Sequence, residues 1–289
     1  MSVRAWLPVV ALPCLVLAGF PSAGPRWVLM WTLAISIYIG CKWLTWRRAP
    51  AAAPVWKQAG YLLAWPGMNA KAFFTAPPAA QIRSVPAMDW CATLFKLILG
   101  VLLLYGVARH VPNRYPYLAG WVGMVGMILI LHFGIFRLLS SAWQSVGINA
   151  ARLMDAPLSS TSVSEFWGRR WNTAFRDLTD QCLFRPLRVS LGAAGALWFG
   201  FLVSGIVHDL VISLPARGGY GGPTCFFLLQ ALAITVSHSS TGRKLHLREG
   251  WTGRLFTAFA LVGPVYLLFH PPFVLKVITP FMRAIGAIA

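Results

Sequence analysis

The sequence has few charged side chains, and acidic ones are especially rare. Only 11% of its 289 residues are Asp, Glu, Lys or Arg, whereas a soluble domain averages about 25%. Seven acidic residues stand against 25 Lys and Arg, which gives a formal net charge of +18. Because 57% of the residues are hydrophobic, the composition excludes an ordinary soluble domain and predicts a polytopic membrane protein.

Cysteine is also scarce, and the five cysteines are scattered without a C-x-x-C pair or any ligand set for zinc or haem. We therefore expect no metal and no bound cofactor. The chain lacks a G-x-S-x-G segment, which argues against a nucleophilic serine of that kind. The basic residues lie between apolar runs, so they are explained by membrane orientation and anionic headgroups, and we expect no nucleic-acid partner.

Seven apolar runs approach the ~20 residues that a bilayer core requires. A further segment, 56–74, is rich in aromatic residues but is interrupted by Pro66 and Gly67, and it predicts an interfacial or re-entrant helix pair. The fold class predicted is an all-α polytopic membrane protein with about seven transmembrane helices, as a single domain over 1–289. The seven runs are 4–20, 27–43, 91–108, 118–138, 190–212, 223–240 and 252–272.

The distribution of Lys and Arg predicts the orientation. With the N-terminus in the cytoplasm, most of the 25 basic residues fall in cytoplasmic segments, as the positive-inside rule requires. We expect the first run to be retained as a span, although Arg4 before it and the small residues after it also fit a signal peptide. The Arg-rich inner segments fit a bacterial plasma membrane.

The first informative motif is E-F-W-G-R-R-W-N, residues 165–172. Ser162 and Glu165 match a capping box, which predicts a helix from there to about Asp180. At about 100° per residue, the helix would place Arg169 and Asn172 on one polar stripe with Glu165. The alternative is an interfacial amphipathic helix with a solvated charged face.

The second motif is S-G-I-V-H-D, residues 204–209, near the end of an apolar run. An ionisable group inside a span costs roughly 2.5–3.5 kcal/mol, which favours a functional role. Ser204 and Gly205 share a helix face with His208, and an imidazole suits general-base work. Asp209 points about 100° away along a helix. A structural histidine is the alternative, and His132 is the competing mid-span histidine.

The two motifs together resemble the membrane-bound O-acyltransferase family, in particular its wax synthase-like branch. W-P-G-M-N at 65–69 resembles a segment of bacterial members of that branch. The resemblance implies transfer of an acyl group from a thioester, usually acyl-CoA, to a hydroxyl. It also implies a helical bundle around an intramembrane chamber, a catalytic core at about 160–215, and catalytic roles for His208 and Asn172.

Under this interpretation the partners are acyl-CoA, a lipophilic alcohol and the lipid bilayer. Two alternatives remain open: acetyl or short-acyl transfer to a specialised hydroxylated metabolite, and a non-enzymatic transport or lipid-binding protein. The basic residues, with Arg185 and Arg188 among them, would meet the phosphates of the donor. The candidate substrate-binding residues are Trp167, Arg169, Arg170, Trp171, Arg176, Ser204 and Gly205.

Overall fold

The computed structural model describes residues 5–49, 53–75 and 86–289. Arg4 and Arg83, two of the basic residues counted for the orientation, lie outside the described residues. The chain divides into two compact units. The first comprises residues 1–24, 32–154 and 278–289, and the second comprises 25–31 and 155–277.

Within the described residues, each of the seven apolar runs lies mostly on helix, as predicted, and no strand is formed. Within the described ranges, five helical stretches are long and apolar enough to cross a membrane, and two apolar helices are shorter. The five are Arg26–Trp46, Ala87–His110, Pro116–Ser145, Thr173–Ala216 and Gly250–Leu268, and the two are Leu7–Gly19 and Gly222–His238. The remaining short helices are Val55–Ala64, Ala70–Phe74, Pro157–Ser159, Val163–Glu165, Phe166–Arg170, Ser240–Lys244, Pro271–Phe273, Val274–Ile278 and Thr279–Ala284.

The first unit contains the predicted helix pair, Val55–Ala64 followed by Ala70–Phe74. Lys42 holds the turn between them, because its Nζ donates a hydrogen bond of 2.7 Å to the carbonyl oxygen of Gly67. The same ammonium group lies 3.4 Å from the centre of the Tyr61 ring, a cation–π contact. The buried lysine of this unit therefore has two partners and anchors the W-P-G-M-N turn.

The second unit contains both motifs, and its long helix Thr173–Ala216 is not uniform. Gly192 has φ 69° and ψ 175°, which kinks the stretch Arg185–His208 near the start of the predicted span. Wide π-helical turns occur in this long helix and before it at Phe166–Arg170, Asp180–Phe184 and Asp209–Ser213, and the described residues contain others elsewhere. Such turns are frequent at functional sites, and here one lies inside the first motif and another directly follows His208.

Candidate active site

His208 is the last residue of the helix Arg185–His208, which we name the histidine helix. Its Nδ1 lies 2.7 Å from the carbonyl oxygen of Ser204, one turn earlier. Because a carbonyl oxygen only accepts hydrogen bonds, Nδ1 carries the proton in this contact. In the neutral imidazole this leaves the lone pair on Nε2. The half-buried side chain therefore has the tautomer required of a base that acts through Nε2.

Gly205 lies where the histidine helix touches Gly222–His238, which we name the bridging helix. A Cβ atom added to Gly205 would come 2.6 Å from the Cα atom of Thr224, closer than packed atoms allow. The small residue thus permits two helices to approach. The expectation that Ser204 and Gly205 contact a substrate stays a prediction, since here one orients the imidazole and the other packs a helix.

Phe227 of the bridging helix connects the two motifs. Its ring centre is 4.4 Å from that of His208 and 5.5 Å from that of Trp167. Phe201 of the histidine helix lies 6.1 Å from Trp167, edge to face. These are distances at which aromatic rings attract one another. The histidine and the first motif therefore share one aromatic cluster in the second unit.

Gln230, one turn beyond Phe227, fixes the orientation of the Trp167 indole. It is fully buried, its Oε1 accepts a 3.4 Å hydrogen bond from Trp167 Nε1, and its Nε2 donates to the Ala260 carbonyl oxygen at 2.9 Å. A buried amide of this kind is costly unless both ends are satisfied. The bond to Ala260 links the bridging helix to Gly250–Val262, so three helices hold the tryptophan.

The first motif begins with the predicted cap. Ser162 Oγ accepts a hydrogen bond from the Glu165 amide at 3.1 Å, while the Glu165 carboxylate accepts from the amide and the hydroxyl of Thr161. Arg170 donates to the same carboxylate at 2.8 Å. Burial raises the pKa of this carboxyl, but the hydrogen bonds from Thr161 and Arg170 outweigh it and leave the pKa below its ordinary value. Glu165 is therefore a structural anion that holds the loop.

The predicted continuous helix from Ser162 to about Asp180 is wrong at Trp171 and Asn172, where the helix is interrupted. The helical turns end at Arg170, Trp171 is extended, and Asn172 has φ 44° and ψ 59°, a left-handed conformation. Asparagine is among the residues that tolerate this conformation best. A new helix, Thr173–Thr179, starts after it. The stripe predicted to join Arg169 and Asn172 therefore does not exist.

The arginines of the motif differ in what they bind. Arg170 is occupied by Glu165, Arg176 pairs with Asp177 at 2.9 Å, and Arg185 pairs with Asp180 at 2.8 Å. Arg169 and Arg188 are exposed and form no ion pair within the part of the chain that the structure describes. Two of the predicted phosphate-binding arginines are thus unpaired, and three are engaged. Trp171, which follows Arg170, stacks on Phe166 with 5.5 Å between ring centres.

A second basic segment, residues 239–254, contacts the loop of the first motif. The Thr161 hydroxyl donates to the Arg248 carbonyl oxygen at 3.4 Å, and Gly253 is small because the Thr161 carbonyl oxygen would lie 2.3 Å from an added Cβ. The one acid of the segment, Glu249, pairs with His246. Its exposed cations are Arg243, Lys244, Arg248 and Arg254.

Phe227 and Gln230 are not among the residues predicted from the sequence. Gln230 carried a weak signal, because it is a long polar side chain in the middle of an otherwise apolar run. Phe227 carried none, since an aromatic residue in an apolar span is ordinary. The competing His132 lies in the first unit, where its ring packs edge to face on Phe136 at 5.3 Å. No described contact joins Asn172 to His208, so the partnership of these two residues stays a prediction.

Comparison with known proteins supports the resemblance. Residues 150–229 match the model of the membrane bound O-acyl transferase family, a range that includes Asn172, His208 and Phe227. The chain is 24% identical over 181 residues to a long-chain-alcohol O-fatty-acyltransferase of Simmondsia chinensis, covering 56% of this chain and 49% of that protein. It is 28% identical over 193 residues to the probable long-chain-alcohol O-fatty-acyltransferase 9 of Arabidopsis thaliana, covering 60% and 56%.

A third relative, the probable long-chain-alcohol O-fatty-acyltransferase 2 of Arabidopsis thaliana, is 27% identical over 214 residues, covering 68% of this chain and 60% of that protein. The chain therefore spans about half the length of the curated relatives it matches. The apolar helices and the family match together support an integral membrane protein. The resemblance predicted from the two motifs is confirmed: this chain is similar to the membrane bound O-acyl transferase family and to the long-chain-alcohol O-fatty-acyltransferases.

Proposed function

We propose that the protein is a membrane-embedded acyltransferase that moves an acyl group from acyl-CoA to the hydroxyl of a lipophilic alcohol. The observation that carries the proposal is the contact of His208 Nδ1 with the Ser204 carbonyl oxygen, because it leaves Nε2 to accept a proton. The names of the relatives support the reaction class. We place the catalytic core at about 160–215, within a single domain.

In the proposed reaction, Nε2 of His208 takes the proton of the alcohol while the alcohol oxygen attacks the thioester carbonyl carbon. A tetrahedral oxyanion forms and then collapses, which breaks the carbon–sulfur bond and releases CoA thiolate. The imidazolium returns its proton to the thiolate, so that ester and CoA thiol are the products. Asn172 would donate to the oxyanion or position a substrate. No acyl-enzyme is formed, in keeping with the absence of a G-x-S-x-G segment.

The exposed cations supply a docking surface for the phosphates of the donor. They are Arg169 and Arg188 together with the basic segment 239–254, which the Thr161–Arg248 bond holds against the first motif. From His238 to Phe227 the bridging helix rises by roughly 16 Å, at ~1.5 Å per residue. An extended phosphopantetheine arm spans a comparable distance, so phosphates bound at the basic segment and a thioester beside His208 are compatible.

The same charge distribution supports the orientation. Both basic segments would face the cytoplasm, where acyl-CoA is made, with the N-terminus also cytoplasmic. We also propose a bacterial plasma membrane, which the Arg-rich inner segments fit. Closing the site inside the bilayer would exclude water, which would otherwise hydrolyse the thioester.

The test uses the purified full chain in detergent with radiolabelled acyl-CoAs of several lengths and a panel of alcohols. We expect labelled ester to form together with an equal amount of CoA thiol, and the preferred pair identifies the substrates. Ester formed only from acetyl-CoA and a polar hydroxylated metabolite would replace the lipophilic acceptor. Binding of acyl-CoA without thiol release from any pair would favour a lipid-binding or transport protein.

A further inference from the structure

Asp209, the residue directly after His208, accepts hydrogen bonds on both carboxylate oxygens. Oδ1 accepts from the Ser213 hydroxyl at 2.8 Å and from the Gly221 amide at 2.9 Å. Oδ2 accepts from the amide of Thr224 at 3.0 Å and from its hydroxyl. Three of the four donors belong to residues that open the bridging helix, Gly222–His238.

The carboxylate therefore caps a helix from outside. Gly221 occupies the N-cap position and has no side chain to accept from the first amides, so Asp209, twelve residues earlier, fills that role. A carboxylate at a helix N-terminus also interacts favourably with the helix dipole. Of the first helical amides, that of Gly222 donates to the Gly219 carbonyl oxygen and Pro223 has none, so the amide that Asp209 satisfies within the helix is that of Thr224.

The hydrogen bonds around Asp209 extend through Ser213 to His270, near the C-terminal end of the second unit. The Ser213 hydroxyl, fully buried, lies 3.1 Å from Nε2 of His270. Nδ1 of His270 accepts from the Phe273 amide, so in the neutral ring the proton lies on Nε2 and is donated to Ser213. Ser213 in turn donates to Asp209. His270 lies at the end of the predicted run 252–272, and its side chain is buried inside this network.

The helix that Asp209 caps carries the residues that meet both motifs. Thr224 lies against Gly205 of the histidine helix, Phe227 packs on His208, and Gln230 holds the Trp167 indole. These positions follow each other at intervals of three along the bridging helix, so they share one side of it. The position of that helix therefore decides where the rings beside His208 lie.

We propose that Asp209 is a positioning residue: by capping the bridging helix it seats Phe227 and Gln230, and through them His208 and Trp167, for the reaction. It does not orient the imidazole directly, because Nδ1 of His208 is bound to the Ser204 carbonyl oxygen. The inference rests on the proposed acyl transfer, since turnover is one of the quantities it predicts. It assigns a role to a carboxylate that the chemical steps do not use.

The first test compares Asp209→Asn with wild type. Each protein is assayed at its own pH optimum, so that a shift of the pH profile caused by loss of the charge is not mistaken for a decrease in kcat caused by loss of position. An asparagine has the size of the aspartate, but it has one acceptor oxygen in place of two, so its NH2 group must face either the Thr224 donors or those of Ser213 and Gly221. We expect kcat to fall on the order of tenfold to a hundredfold, with KM for both substrates within about twofold. Thr224→Val, which removes one donor, should give a smaller decrease in kcat.

The matched control is Asp89→Asn in the first unit. Asp89 accepts hydrogen bonds from Arg137 at 3.0 Å and from Arg152 at 2.6 Å, so its loss also removes charge-assisted contacts. We expect this variant to melt at a lower temperature while its folded fraction keeps wild-type kcat. Equal effects of the two substitutions on kcat, per folded molecule, would overturn the positioning role.

A spectroscopic test is independent of turnover. In protein with isotope-labelled histidine, the His208 signal, assigned by its loss in His208→Gln, should carry a ring-current shift from Phe227. We expect the shift to be lost in Phe227→Leu and reduced in Asp209→Asn, and to persist in Asp89→Asn. An unchanged shift in a folded Asp209→Asn protein would refute the inference. If wild type is inactive with every substrate pair but the shift responds as expected, the proposed reaction fails and the positioning role stands.

Discussion

Asn172 offers the sharpest separation between a backbone role and a chemical role. Its left-handed conformation, φ 44°, explains an asparagine without any chemistry, because a non-glycine residue there costs roughly 1–2 kcal/mol. Asn172→Ala removes the amide and also adds strain, so its effects are mixed. Asn172→Gly removes the amide but keeps the backbone conformation, since glycine adopts positive φ without penalty.

The two variants therefore make a matched pair. We expect Asn172→Ala to lower the free energy of unfolding by about 1 kcal/mol and Asn172→Gly to change it by less. If the amide donates to the oxyanion, both variants should lose on the order of 10²- to 10³-fold in kcat. Thermal unfolding in detergent and initial rates of ester formation measure the two quantities. A glycine variant with wild-type kcat would show that Asn172 serves only the turn.

Three further predictions concern other parts of the second unit. Gly205→Val should force the Thr224 contact apart and destabilise the fold by about 1–3 kcal/mol, seen as a lower melting temperature. Since the pKa of Glu165 is depressed in the folded protein, the stability it contributes is present above its unfolded pKa and lost as pH falls through the folded one. Melting curves between neutral and acidic pH should show this loss, and Glu165→Gln should remove that part of the dependence. Arg248→Ala should raise KM for acyl-CoA several-fold at low salt, and less at high salt because screening weakens phosphate contacts, with kcat unchanged.

Much of the fold could be predicted because the bilayer imposes strong constraints. An apolar run of ~20 residues forms a helix in the bilayer, because a helix satisfies all of its backbone hydrogen bonds internally. Within the described residues, each of the seven runs lies mostly on helix. The division into two short helices, Val55–Ala64 and Ala70–Phe74, could also be predicted, because Pro66 and Gly67 between them interrupt a helix. The capping box at Ser162 is a local signal, and the structure contains it.

What could not be predicted depends on tertiary contacts or on a single backbone angle. The helical pattern continues through Asn172, so the break there has no signature in periodicity. The bonds of Asp209 reach residues twelve to fifteen positions away, and only the meeting of two helices creates them. His208 was identifiable because an ionisable residue stands out in an apolar run. Its neighbour Phe227 was not, because only the tertiary contact between two helices brings it to the histidine.

The most direct test of the account is the initial rate of ester formation by purified His208→Ala, compared with wild type at equal folded fraction. We expect His208→Ala to lose turnover by several orders of magnitude, because the alcohol would have no base at Nε2, and to retain acyl-CoA binding. A folded His208→Ala protein that forms ester at the wild-type rate would contradict this expectation and direct attention to His132.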